Sequence, residues 1–114
     1  MIAGCSKTED MTLRYPKTEL ANTKWKRFNF RATIGGNDVY EFLNFSKNTV
    51  DIYAADEDGK GEFDRKTYPY KLNLSDKNMD SFEIFLSNGK SGGGSTTDNV
   101  NVITYNYYEF NRVK

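Results

Sequence analysis

From Leu20 onward the apolar residues recur at every second position. That is the spacing of a strand with one buried face, not of a helix. Phe28, Phe30, Ala32 and Ile34 alternate with Asn29, Arg31 and Thr33. Val39 to Phe45 forms a second run. In a third, Val50, Ile52 and Ala54 alternate with Asp51 and Tyr53. Tyr68, Tyr70, Leu72 and Leu74 share one face, with Lys71 and Asn73 on the other. Phe82, Ile84 and Leu86 share the next, with Glu83 opposite, and Val100 to Val113 reads as one long strand or a bent pair. Turn residues separate the runs at Gly35–Asp38, Ser46–Thr49, Asp56–Gly61 and Ser75–Asp80. Asn88 to Asn99, which contains Gly92-Gly93-Gly94, reads as a long flexible loop. Pro69 lies inside a run, so its place is an edge or a bulge.

About six to eight short strands joined by short turns predict an all-β fold, a small antiparallel up-and-down meander. A flat meander leaves two exposed edges, so the sheet is expected to curl into a barrel or half-barrel. Neither an internal repeat nor a second domain is visible. Several runs are apolar on both faces. Tyr40 and Phe42 oppose Val39, Leu43 and Phe45, Phe85 opposes Ile84, and Tyr105 and Tyr107 oppose Tyr108 and Phe110. Two explanations are open: an aromatic exterior covered by loops or a partner, or a surface that binds a ligand through tyrosines.

The chain begins Met1-Ile2-Ala3-Gly4-Cys5-Ser6. Ile-Ala-Gly-Cys resembles the lipobox of bacterial lipoproteins, in which a peptidase cuts before the cysteine and the cysteine carries the lipid. The resemblance implies that residues 1–4 are the end of a signal peptide and that Cys5 is the lipidation site. Residues 5–19 are then a polar, lipid-anchored tether, and 20–114 a single β-barrel domain. The expected location is the outer membrane, at its periplasmic face or on the cell surface. The acidic pair Glu9-Asp10 resembles an export tag of surface lipoproteins. Cys5 is the single cysteine of the 114 residues, so no internal disulfide can form.

Composition narrows the chemistry. Lys+Arg and Asp+Glu are balanced at 16 each, which argues against a dedicated nucleic-acid binder. Aromatics at 15% exclude a disordered chain. With no histidine and one cysteine, Ser-His-Asp triads, Cys/His pairs and most zinc sites are excluded. No paired carboxylates stand out, and the glycine run lacks the Lys and strand-to-helix context of a phosphate loop. An enzyme is not expected, nor a cofactor, with one exception. Asp56-Glu57-Asp58-Gly59-Lys60-Gly61-Glu62-Phe63-Asp64 resembles a calcium-binding EF-hand loop, which would make Asp56, Asp58, Glu62 and Asp64 candidate ligands of a weak site. Lys60 at a ligand position and strand-like flanks favour a solvated acidic turn instead.

Leu20-Ala21-Asn22-Thr23-Lys24-Trp25-Lys26 looks like the opening strand of lipocalin-like lipoprotein domains, and Tyr108-Glu109-Phe110-Asn111-Arg112-Val113 is similar to their closing strand. Asn22 stands where that family carries Gly. The resemblance implies that Trp25 closes one barrel end with Arg112 packed across it. It also implies ligand binding, although many such small domains have filled interiors; an open interior would be lined by candidates such as Phe30, Tyr70 and Phe82. The expected function is a binding module for a small apolar molecule, a glycan or a peptide. The alternative is a protein-interaction role, such as an inhibitor of a secreted hydrolase or an accessory subunit of an envelope complex, with Ser87–Asn99 as the contact loop.

Overall fold

A computed structural model describes residues 18–34, 36–74 and 80–114, without the side chains of Phe30, Arg31, Ala32 and Ile34. Cys5, the tether up to Lys17 and residues 75–79 of the expected turn lie outside the described residues. Eight strands follow one another: β1 (Thr23–Ile34), β2 (Asn37–Phe45), β3 (Thr49–Ala55), β4 (Phe63–Asn73), β5 (Ser81–Phe85), β6 (Ser91–Thr96), β7 (Val102–Tyr105) and β8 (Tyr108–Arg112). Each pairs antiparallel with the next, and β8 returns to β1, so the meander closes into a barrel. Closure removes the two edges that an open sheet of these strands would present.

The closing seam is short, with Trp25 opposite Arg112 and Lys26 opposite Asn111. The β1–β2 ladder runs on to Ile34↔Asn37, with an irregularity between Asn29 and Thr33. The outer end of this hairpin therefore overhangs the barrel. Pro69 sits where β4 changes neighbours. It lies opposite Thr49 of β3, and the β4–β5 ladder starts one residue later at Tyr70↔Ile84. The Tyr70 N–H is donated back towards β3, to Asn48 O. Amide directions alternate along a strand, so the N–H that Pro69 lacks would face the side where β5 has not yet begun to pair.

Alternation supplies the core. Trp25, Leu43, Phe45, Val50, Phe82, Ile84, Ile103 and Phe110 all point inward and are buried. Their rings interlock. Phe45 meets Tyr70 and Phe82 edge-on, at 5.0 and 5.6 Å between centroids. Phe82 in turn lies 6.2 Å from Tyr105, which lies 6.3 Å from Phe110. Burial of each such side chain contributes roughly 1.5–3 kcal/mol. Packing begins slightly before β1: Leu20 is 1% exposed and Thr18 4%, so the end of the expected tether is part of the barrel's base.

The expected flexible loop at Asn88–Asn99 is corrected: its central part is β6, paired on both sides. The aromatic core explains the glycines. A Cβ on Gly94 would press into the Phe82 ring and come within 2.5 Å of the Thr104 carbonyl oxygen. A Cβ on Gly92 would lie 2.9 Å from the Tyr105 ring. The strand is bare on its inner face because two large rings lie across it.

Candidate binding site

The sequence-derived candidates among the described residues each have a definite place. Trp25 is completely buried at the base of the barrel, and its indole N–H donates to Thr23 Oγ1 at 2.7 Å. Thr23 hydroxyl in turn donates to Leu20 O. The Arg112 guanidinium lies 5.5 Å from the Trp25 ring centroid, directly across the β1–β8 seam. The pair joins the first and last strands, so it serves closure of the barrel.

Tyr70 and Phe82 both face the interior, where other rings already occupy their faces. The Tyr70 hydroxyl donates to Ser46 O and Lys47 O. Burial raises the pKa of Tyr70. Burial also raises that of Tyr105, helped by the nearby Glu41 carboxylate and by Tyr68. Glu41 itself pairs with Arg27 at 2.8 Å, and the Arg27 guanidinium stacks 4.0 Å from the Tyr108 ring centroid. The side chain of Phe30 lies outside the described residues. At the level of Phe82 the interior is filled by side chains, so a ligand lined by Tyr70 and Phe82 has no room between them.

The Asp56–Asp64 loop has another use than calcium. Asp56 Oδ1 accepts the N–H groups of Asp58 and Lys60, both at 2.9 Å, and so caps its own turn. Glu62 is held by Arg65, whose hydrogen bond depresses the Glu62 pKa. Asp64 adopts a positive φ of 56° at the irregularity in the β3–β4 ladder. Among the described residues no group of three acids converges as metal ligands. Nor is the loop merely a solvated turn. Gly59 approaches the Phe42 ring, where a Cβ would be 3.9 Å away, and Lys26 Nζ donates to Glu57 O. Beneath lie the stacked rings of Phe42 and Tyr53, 5.2 Å apart and parallel within 1°. Arg65 lies 4.1 Å from the Tyr53 ring centroid and is also hydrogen-bonded to Asp51. The loop is thus a cover for outward-facing aromatics, as one of the two explanations for the exterior required. Beside it, Tyr40 titrates above its ordinary value because of burial and the neighbouring Glu57 and Asp38 carboxylates.

The outer face of β5, β6 and β7 is different. An open groove of about 800 Å³ runs across these strands, within the range of small-ligand sites. The ladders arrange its side chains in rows. Asn73, Ser81, Ser95 and Thr104 form one row, strand by strand. In the next, Glu83 lies opposite Gly93, whose carbonyl accepts Asn106 N–H at 3.0 Å. Gly93 is the gap in that row. Nothing lies within 4 Å of the position of its missing Cβ, and its backbone has no positive φ. Packing accounts for Gly92 and Gly94 but not for Gly93, which opens the groove floor. The polar walls are set by Ser91 Oγ donating to Glu83 Oε2 at 2.6 Å and by the Ser95–Thr104 hydroxyl pair at 3.0 Å.

Tyr107 completes the groove. It is fully exposed, the most exposed large hydrophobic among the described residues. Asn106 and Tyr107 form the two-residue turn between β7 and β8, with φ of 54° and 73°. Such turns place both residues in the left-handed region, where Asn is common and the second position usually goes to Gly. A bulky side chain there costs roughly 1–2 kcal/mol. Sequence reasoning missed Gly93, Glu83 and Tyr107 as a set. The available signal was Asn-Tyr in the place of Asn-Gly between two alternating runs. Compared with known families, curated proteins and solved structures, the chain matches no family model, no curated protein and no solved structure.

Proposed function

We propose that this chain is the binding domain of a lipid-anchored envelope lipoprotein of lipocalin-like type, and that it binds on its outer face, not inside the barrel. The carrying observation is the groove over β5–β7: a floor opened by a glycine that neither packing nor backbone angle requires, beside a fully exposed Tyr107 held in a strained turn. Strain that the fold does not need is a mark of a functional position. The Cys5 lipobox motif supports the anchor and an outer-membrane location.

Native mass spectrometry of the protein from its own cells tests the binding reading. We expect a ligand adduct that is lost in Gly93→Val and Tyr107→Ala while the fold is kept. An adduct unaffected by both variants overturns the outer-face site. A lipid increment on the Cys5 peptide of envelope-extracted protein is expected, and an unmodified thiol overturns the anchor.

A second reading, contact with a protein partner, has its own observation. Phe28 is 45% exposed on the overhanging hairpin and packs against Tyr40 at 5.6 Å. The contact element would then be this hairpin, because the middle of the Ser87–Asn99 segment, which the sequence offered for that role, is β6, paired on both sides.

A further inference from the structure

The chemistry of the groove narrows its ligand, given the outer-face reading above. The geometry points to a neutral oligosaccharide. The groove walls offer one carboxylate, Glu83, with hydroxyls and amides from Asn73, Ser95, Thr104 and Asn106, and no Lys or Arg lines it. Lys71 stands opposite Glu83 in the β4–β5 ladder, outside the lining. An anionic polymer would bring further negative charge to a lining whose one charged side chain is Glu83, and Lys71, the cation beside it in the ladder, already faces that carboxylate. An extended peptide recognised by strand addition needs a free edge. β6 offers none, since β5 and β7 already pair with it. A purely apolar ligand would strip water from the Glu83 carboxylate and the wall amides and return no hydrogen bond.

A sugar chain fits what remains. Its hydroxyls pair with the carboxylate, amides and hydroxyls of the walls. The apolar face of one ring lies on the Tyr107 ring, whose large, rigid surface is presented without further loss of freedom at the backbone. The missing side chain at Gly93 lets a sugar ring approach the sheet between Glu83 and Asn106. Strain at Tyr107 and bareness at Gly93 then have one cause: each keeps open a surface on which a flat saccharide can rest.

The test is a binding panel with the full chain, measured by ligand-observed NMR and calorimetry. The probes are neutral oligosaccharides, their uronic-acid-containing counterparts and unstructured peptides. We expect neutral oligosaccharides to bind, with acidic counterparts at least about tenfold weaker (about 1.4 kcal/mol). Tyr107→Ala should weaken binding at least about tenfold, and Gly93→Val should abolish it. Gly93→Val is a clean variant, because its Cβ enters open space and Val suits a strand. Acidic saccharides or peptides that bind preferentially, yet are lost in Gly93→Val, overturn the ligand class and leave the outer-face site standing. Neutral saccharides that bind equally well to folded Gly93→Val and Tyr107→Ala overturn the site itself. No binding by any probe overturns the saccharide assignment.

Discussion

Gly94→Ala and Gly93→Ala differ by one position and by nothing in chemistry, yet the barrel should respond to them in opposite directions. At Gly94 the new methyl points inward, into the Phe82 ring and to 2.5 Å from the Thr104 carbonyl oxygen. The oxygen belongs to the neighbouring strand's backbone and cannot swing away. The Phe82 ring is 2% exposed and wedged between Phe45 and Tyr105, so it has no vacant rotamer to enter. Overpacking of this kind costs about 1–3 kcal/mol. At Gly93 the methyl enters open space, and replacing glycine in a strand gains about 0.5–1 kcal/mol. The two variants should therefore lie about 1.5–4 kcal/mol apart. For a domain near this size that is roughly 6–30 °C in Tm, at about 4–8 °C per kcal/mol. The assay is urea unfolding followed by the fluorescence of Trp25, the single Trp and a fully buried one. Equal stabilities, or a Gly93→Ala variant as damaged as Gly94→Ala, would falsify the claim that only the inner rings dictate the glycines.

Four further outcomes can be checked. Tyr107→Gly should gain up to about 1 kcal/mol by relieving the left-handed residue, less the entropy of the glycine, while losing ligand; a loss of stability in chemical unfolding contradicts the strain. Trp25→Ala should cost about 3–5 kcal/mol and Arg112→Ala about 0.5–2 kcal/mol, read from denaturation midpoints. Tyr105 has its folded pKa raised above the unfolded value near 10, so the unfolded chain loses its proton first and stability falls as pH rises from about 10. Tyr105→Phe should flatten that alkaline decline by up to about 1.4 kcal/mol per pH unit; an unchanged slope refutes the assignment. Calcium should leave Tm unmoved, whereas Asp56→Ala should cost about 1 kcal/mol through two lost turn hydrogen bonds; a calcium-dependent rise in Tm restores the metal reading.

Much of the fold was legible along the chain. Alternation at Val39–Phe45, Val50–Ala55 and Phe82–Leu86 marked strands, and the turn signals between them fell at the hairpins. Binary pattern is a local property, and in a meander nearly every pairing is also local in sequence. The meeting of Trp25 with Arg112 is not local, and it was reached only through the family resemblance. The glycine run was read as a loop because three glycines in sequence carry no pattern at all. Whether they bend or extend depends on neighbours that the local sequence does not name. The cover that the acidic loop forms over Phe42 was not legible for a similar reason. Its spacing of acids resembles that of calcium ligands, but Asp56 is spent on its own turn and Arg65 takes Glu62.

An all-β chain, about the number of strands, the turns and the absence of histidine chemistry follow from side-chain periodicity and residue type, which can be counted along the chain. That the interior is filled at Phe82, that β6 is a strand, and that Glu83, Gly93 and Tyr107 share one groove emerges from the folded barrel. Those facts depend on register. A strand's partner sets which residues stand in the same row, and a ring on one strand decides whether the next can carry a Cβ. Register is fixed by all eight strands closing together, so no single segment carries it.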